Sequence, residues 1–302
     1  MFSVTILGSG STGNCALLTV GRKRYLVDAG ISARQIAVRL ATTGTAIADL
    51  DGVLITHEHI DHVAGLPVLL RKNPLPVFCN SLTAEALRYN RQSGLADFQN
   101  WRLFKTGSDF SLDDLHVQTF TIPHDASDPA GFVFHHERRS IGFLTDLGYV
   151  TKLAVERVRD VHTLVLESNH DEKMLIECLK RPWSLKQRIL SKHGHLSNTA
   201  AATLLQHLVS GNLRMLVLGH LSRDCNTPEI AERVIRAKLA ELGMDFVRTH
   251  CASPLNVSAP FSVTADGQSE NEVGPIQNNS RPNQHSEYVA ELFREWAEAD
   301  PR

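Results

Sequence analysis

Up to about residue 263 the chain alternates short apolar runs with stretches whose apolar residues recur every three or four positions. Runs of four to seven residues rich in Val, Ile, Leu, Thr and Phe, bounded by turn residues, mark strands; three-to-four spacing marks amphipathic helices. The pattern predicts strands over 4–7, 16–20, 24–27, 53–56, 77–80, 116–122, 131–135, 140–145, 163–167 and 214–218. It predicts helices over 34–42, 64–71, 82–93, 149–159, 172–178, 185–192, 199–209 and 228–242. The last is the best delimited: Thr227 is an N-cap, Pro228 takes the first helical position and Gly243 follows the end. Alternating elements of this kind build an α/β protein, with one domain over 1–263. Residues 264–284 are rich in Gly, Ser, Asn and Gln and almost free of large apolar groups, so a disordered linker is expected there. Beyond it, Tyr288, Val289, Leu292, Phe293 and Trp296 recur at helical spacing. A short amphipathic helix over 285–302 is expected, either docked on its own domain, fraying, or bound to a partner.

Composition narrows the class. Of 302 residues, 42% are hydrophobic and 21% charged, as in an ordinary globular protein. No apolar run approaches the roughly 20 residues that span a bilayer, so no membrane association is expected. The first ten residues lack a basic segment and glycines interrupt their apolar stretch, unlike a signal peptide. Five cysteines, at 15, 79, 178, 225 and 251, form no Cys-x-x-Cys pair, which points to reduced thiols and a cytoplasmic location. A net charge of −2 supplies no global attraction to nucleic acid, so any such binding requires a local patch. Oligomeric state is not legible in the pattern.

The densest chemistry lies in Thr56-His-Glu-His-Ile-Asp-His62, which places His57, His59, Asp61 and His62 within six positions, directly after an apolar strand. Imidazole suits zinc, iron or manganese and carboxylate suits harder ions, so the mixture favours a hydrolytic metal; a polar loop that happens to hold histidines is the plain alternative. Three further donors follow strands: His124 after Val117-Gln-Thr-Phe-Thr-Ile122, Asp146 after Ile141-Gly-Phe-Leu-Thr145, and His220 after Met215-Leu-Val-Leu218 and a Gly. Singly, each reads equally well as a hydrogen-bonded loop residue. Together, beside the cluster, they read as ligands delivered by a sheet.

These donors and their order make the chain resemble the metallo-β-lactamase fold, a four-layer αββα sandwich with a dinuclear site at one sheet edge. The resemblance covers about residues 1–262. Gly8-Ser-Gly-Ser-Thr-Gly-Asn14, Pro123-His-Asp-Ala-Ser-Asp-Pro-Ala-Gly-Phe132, Glu167-Ser-Asn-His-Asp171, Gly194-His-Leu-Ser-Asn198 and His220-Leu-Ser-Arg-Asp-Cys-Asn226 resemble the bacterial WalJ/YycJ group. That likeness implies a cytosolic exonuclease that degrades DNA from the 5′ end. It implies that His57, His59 and His124 bind one divalent ion, that Asp61, His62 and His220 bind a second, and that Asp146 bridges them. A carboxylate is needed at a bridge, since one imidazole nitrogen cannot span two ions. Zinc and manganese both suit the set.

A competing reading fails on the sequence itself. Gly8-Ser-Gly10-Ser-Thr-Gly13 matches the dinucleotide-binding fingerprint, which requires a helix directly after the third glycine. Here Asn14-Cys-Ala-Leu-Leu-Thr-Val20, a Gly21-Arg-Lys23 turn and Arg24-Tyr-Leu-Val27 read as two paired strands. Ser9, Ser11, Thr12 and Asn14 are left either lining a site entrance or forming a glycine-shaped loop.

Two metals sharing a water would supply hydroxide for in-line attack on phosphorus. Asp61 is the candidate to orient the nucleophile. His195 and His170 are candidates to contact a phosphate or protonate the leaving oxygen, with Ser168, Asn169, Ser197 and Asn198 nearby. The stretch 180–192 holds Lys180, Arg181, Lys186, Arg188 and Lys192 with Trp183 and no acidic residue. It reads either as a solvated helix face or as a phosphate-backbone grip on DNA. Three functions remain in view: a metal-dependent DNA exonuclease, a hydrolase of a small phosphodiester, thioester or lactone, and a non-catalytic nucleotide-binding module without stoichiometric metal.

Overall fold

The computed structural model describes residues 1–90, 93–209 and 211–262. The expected linker over 264–284 and helix over 285–302 lie outside the described residues. Fourteen strands among those residues form two sheets: β1 (Phe2–Gly8), β2 (Cys15–Val20), β3 (Lys23–Val27), β4 (Gly52–Leu54), β5 (Val77–Asn80), β6 (Trp101–Phe104), β7 (Asp109–Leu112), β8 (Leu115–Thr121), β9 (Ala130–His136), β10 (Arg139–Leu144), β11 (Thr163–Glu167), β12 (Met215–Gly219), β13 (Arg248–Cys251) and β14 (Phe261–Ser262). The helices are α1 (Ala33–Thr42), α2 (Ile60–Val63), α3 (Leu66–Lys72), α4 (Ser81–Tyr89), α5 (Lys152–Val158), α6 (Glu172–Glu177), α7 (Trp183–Ile189), α8 (Asn198–Leu205) and α9 (Pro228–Glu241).

One sheet runs β14-β1-β2-β3-β4-β5-β6 and the other β13-β12-β11-β10-β9-β8-β7. Each is antiparallel where hairpins connect it and parallel where helices cross over, as at β3–β4–β5–β6 and β10–β11–β12–β13. Three apolar clusters set the layers. Phe2, Leu18, Leu54, Phe132, Phe134 and Val217 pack between the sheets. Leu26, Ile36, Leu40, Leu66 and Leu87 lie under α1, α3 and α4. Leu164, Leu204, Leu216, Ile235 and Leu239 lie under α8 and α9. The result is the expected αββα sandwich. Strands β11 and β12 are buried on both faces, which explains why they read as unbroken apolar runs rather than alternating ones.

Differences from the expected elements have local causes. The helix expected over 64–71 begins at Leu66 as α3, preceded by the separate short α2 over Ile60–Val63. Gly65 lies between them, where a Cβ would stand 2.1 Å from the Ile31 carbonyl oxygen, so the backbone passes too close for a side chain. Strands β6 and β7 escape the pattern because they are four-residue sheet edges with half-exposed faces. β13 and the two-residue β14 close the opposite edges. The cap reading of the last helix holds: Thr227 accepts from the Ile230 N–H, and Gly243 turns with φ +68°. The glycine-rich loop joins β1 to the antiparallel β2 with no helix, so the dinucleotide reading is excluded by the backbone. No helix among the described residues is long and apolar enough to cross a membrane.

Candidate metal centre

The strand ends of both sheets meet at one rim, and that rim carries the chemistry. Asp28 follows β3, the His57–His62 segment follows β4, His124 follows β8, Asp146 follows β10, Glu167 ends β11 and His220 follows β12. Three of these, Asp28, Asp146 and His220, have φ of +61°, +60° and +56°. Left-handed backbone at a non-glycine residue is costly and persists where surrounding structure enforces it, commonly at functional sites.

Two donor sets result. In the first, His57 Nε2 lies 3.1 Å and His124 Nε2 3.2 Å from His59 Nδ1. Burial, then the charge of His62, holds His57 well below its ordinary pKa, and burial lowers His124. Neutral imidazoles aiming lone pairs at one point are what a divalent ion requires. In the second set, His220 Nε2 lies 3.1 Å from Asp61 Oδ2 and 3.2 Å from Asp146 Oδ1. His62 Nε2 lies 3.3 Å from Asp146 Oδ2 and 3.6 Å from Asp61 Oδ2. Burial alone would raise the Asp61 carboxyl; the His220 hydrogen bond and the His62 charge override it and bring it down to about 2. Burial opposes charge on His62 and His220 too, yet the Asp146 carboxylate, helped by Asp28 and Asp61 respectively, raises both well above the ordinary histidine value. Each set therefore has its ligand atoms within 4.8 Å of one another. Asp146 Oδ2 is buried without a hydrogen bond of good geometry, an oxygen suited to a cation. The residues fit a pair of divalent ions.

The surrounding groups fix which nitrogen faces the centre. Asp28 Oδ2 holds His62 Nδ1 at 2.7 Å, Thr56 Oγ1 holds His57 Nδ1 at 3.0 Å, and the Gly194 carbonyl holds His124 Nδ1 at 3.1 Å. Glu167 Oε1 holds His220 Nδ1 at 3.1 Å. All four rings thus present Nε2, whereas His59 presents Nδ1. Such outer contacts orient ligands and raise their basicity. The glycine-rich loop serves the same end: Ser9 Oγ accepts from the His220 N–H at 2.8 Å and donates to Asn14 Oδ1 at 2.9 Å. The Asn14 N–H in turn donates to the Asp61 carbonyl at 2.8 Å. Gly30 packs against that carbonyl so closely that a Cβ there would stand 1.7 Å from its oxygen.

A third group joins Asp146, Glu167, His195 and His220. The fully buried Glu167 accepts from the Leu147 and Leu196 N–H groups through Oε2 and holds His195 Nδ1 at 2.8 Å through Oε1. Burial alone would raise its carboxyl; the charge of His195 and the hydrogen bonds from His195 and His220 bring it down to about 2. Beside these groups opens a pocket of about 350 Å³ lined by Asp61, Asp146, His195, His220, Arg181 and Arg188 among others.

The structure brings all seven expected ligands together, with Asp146 in the second set. Expected substrate residues fare unevenly. Arg181 and Arg188 line the pocket. Lys180 pairs with Asp224 at 3.1 Å, and Trp183 stands exposed on α7. Lys186 is buried, its Nζ donating to the Ile176 carbonyl at 2.6 Å, so it is no part of a cationic surface. His170 is buried, its ring nitrogens without hydrogen bonds. Ser197 caps α8 and donates to Glu172, and Asn198 is buried in a network with Ser168 and Asn226. These four are framework. Sequence reasoning missed Asp28 and Glu167 as site residues. The available signal was that each, like Asp146, is an acid ending an apolar strand.

Residues 23–220 match a family described as the beta-lactamase superfamily domain. Exodeoxyribonuclease YycJ of Bacillus anthracis is 36% identical over 239 residues, covering 79% of this chain and 89% of that protein. Exodeoxyribonuclease WalJ of Streptococcus pneumoniae is 36% identical over 249 residues, covering 81% and 92%. Among solved structures, the metallo-beta-lactamase fold protein YhfI of Bacillus subtilis superposes with a TM-score of 0.64 at 13% identity, covering 86% of this chain and 100% of that one. The chain belongs to the β-lactamase superfamily, has the metallo-β-lactamase fold, and within that superfamily belongs with the YycJ/WalJ proteins.

Proposed function

We propose that the protein is a metal-dependent phosphodiester hydrolase, a DNA exonuclease that removes nucleotides from the 5′ end. The observation that carries the proposal is the meeting of seven ligand-type side chains in two adjacent sets beside a pocket lined by two arginines. The names of the two curated relatives support DNA as the substrate. His57, His59 and His124 would hold one ion, Asp61, His62 and His220 the other, with Asp146 shared. Zinc suits the histidine-rich set and manganese the oxygen-bearing one. Two divalent ions supply charge that makes water acidic near neutral pH and offsets charge developing on phosphoryl oxygens.

The chain's own groups do the rest. Asp61, partly exposed at the pocket, orients the attacking water by accepting its hydrogen bond. His195, fixed through Nδ1 by Glu167, turns Nε2 to the pocket and gives a proton to the departing oxygen. Arg181 and Arg188 hold the strand by its phosphates.

A small phosphodiester is the second reading, favoured by a pocket near the lower end of ligand-site volumes. A thioester or lactone group is itself neutral and, unlike a phosphodiester, brings the arginines no anion at the reacting centre. Digestion of end-labelled linear duplexes beside a small chromogenic phosphodiester, with manganese or zinc supplied, separates the cases. Stepwise loss of mononucleotides from the 5′ end supports the exonuclease; hydrolysis of the chromogenic diester alone refutes it.

A further inference from the structure

Five cysteines lie in the chain, and two of them, 47 positions apart, meet beside the pocket. Cys178 is the C-cap of α6. Cys225 lies in the loop after His220, fully buried with Leu175 and Ile189, and the half-buried Cys178 packs against the same cluster. The two thiols are hydrogen-bonded to each other. Around them two segments run side by side. The Asp171 N–H donates to the Cys225 carbonyl at 2.9 Å, Lys180 pairs with Asp224 at 3.1 Å, and Arg181 Nη2 donates to Ser222 Oγ at 3.3 Å. Arg181 and Ser222, each three positions from its cysteine, line the pocket.

The two sulfurs are unequal. Cys178 is open to solvent, next to the fully exposed Leu179, and Cys225 is not. Burial alone would raise the Cys178 thiol; the Lys180 N–H, the Cys225 thiol, the Arg181 N–H and the Arg181 charge bring it below its ordinary value. Burial pushes Cys225 up, and it pushes Cys79 and Cys251 up to about 12. An accessible thiolate beside a second thiol that can resolve it is the arrangement that peroxide oxidises. The Cys178 sulfur has a structural task as well. By accepting from the Lys180 and Arg181 N–H groups it holds the turn that delivers Arg181 to the pocket. A disulfide sulfur carries no charge and accepts only weakly.

We propose that Cys178 and Cys225 are a modification site for peroxide, and that the disulfide they form loosens the pocket wall at Arg181. The Cys178 thiolate attacks one peroxide oxygen and breaks the O–O bond. A sulfenic acid forms, and the expelled hydroxide takes up the proton that Cys178 lost on ionising. The Cys225 sulfur then attacks the Cys178 sulfur: the S–S bond forms, the S–O bond breaks, and the hydroxyl leaves as water with the Cys225 proton. Two thiols give up two electrons, and one hydrogen peroxide becomes two waters. The disulfide rests on the contact between the thiols alone; its effect on the pocket rests also on the nuclease reading.

The test treats full-length, manganese-loaded protein with hydrogen peroxide, then alkylates it in denaturant and maps the thiols by peptide mass spectrometry. Alkylated cysteines are expected to fall from all five by two, with Cys178 and Cys225 recovered in one linked peptide. Dithiothreitol should restore both. In Cys225→Ser no linked peptide forms, and a cyclic-dione probe captures a sulfenic acid at Cys178. At the pocket, oxidised wild type should show a KM for the end-labelled duplex raised on the order of tenfold, the worth of one charge-assisted contact. Metal content should stay unchanged, and dithiothreitol should reverse the rise. Cys178→Ser keeps an oxygen to accept the two N–H groups, so its KM should match that of reduced wild type and ignore peroxide. All five thiols intact after treatment, or bonds at other cysteines, overturn the proposal. A linked pair with unchanged KM overturns the effect on the pocket and leaves the nuclease standing. No cleavage in either redox state removes the nuclease reading, while the thiol map still decides the disulfide.

Discussion

At the residue scale, the site depends on acids that never meet substrate. Asp28 fixes the His62 ring, and outer-shell partners of this kind are worth about 10–100-fold in metal affinity. Asp28→Asn should therefore weaken the second ion by that factor in a chelator competition, with the fold retained. His195→Ala should lower kcat by about 10²–10⁴ while metal content stays at the wild-type level; lost metal would make His195 a ligand instead. His170 yields a pH prediction. Burial brings it down to about 4 from an ordinary 6.5, so the fold keeps it neutral while the unfolded chain takes up a proton below 6.5. Its contribution is favourable above that value and is lost as pH falls, by about 3 kcal/mol on reaching pH 4. Acid unfolding of His170→Gln should be correspondingly shallower than that of the wild type. The proposed metal ligands stood out in the sequence because few roles collect three imidazoles and a carboxylate in six positions. Glu167 was not, since it closes an apolar strand and reads as part of it. His170, Ser197 and Asn198 looked chemical for the converse reason: polar side chains in a loop resemble a site until burial shows them to be framework.

At the element scale, strands buried on both faces and helices with complete caps were legible, and short edges were not. Strand β7 alternates exposed and half-buried residues over four positions, too short a window to separate from a loop. The stretch 180–192 shows the limit of reading charge without burial. Five cations in sequence become an exposed ion pair at Lys180, two pocket arginines, an exposed Lys192, and Lys186 of α7 buried against the last turn of α6. Lys186→Met should cost about 1–3 kcal/mol of stability, the worth of a charged hydrogen bond, read as a lower melting temperature. It should leave the salt dependence of DNA binding unchanged. Arg188→Gln should instead reduce the slope of log affinity against log salt by about one phosphate's worth, roughly 0.7–0.9. A slope that changes with Lys186 and not with Arg188 would reverse these assignments.

At the scale of the whole molecule, neither sheet holds a complete site. Asp28, His57, His59, Asp61 and His62 come from the rim of one sheet, and His124, Asp146, Glu167 and His220 from the rim of the other. The apolar layer between the sheets, with Phe132 and Phe134 at its heart, thereby sets the spacing of the two donor sets. Phe132→Ala should cost about 3–5 kcal/mol of stability and loosen metal binding at once, although the residue touches no ligand. The central claim, that seven side chains from two sheets hold a pair of divalent ions, is tested most directly by elemental analysis. The protein is dialysed after manganese or zinc loading and compared with Asp146→Asn and His59→Ala. Close to two ions per chain in the wild type, with a loss in each variant whose circular dichroism is unchanged, is the expected result. One ion or none in the folded wild type would contradict it.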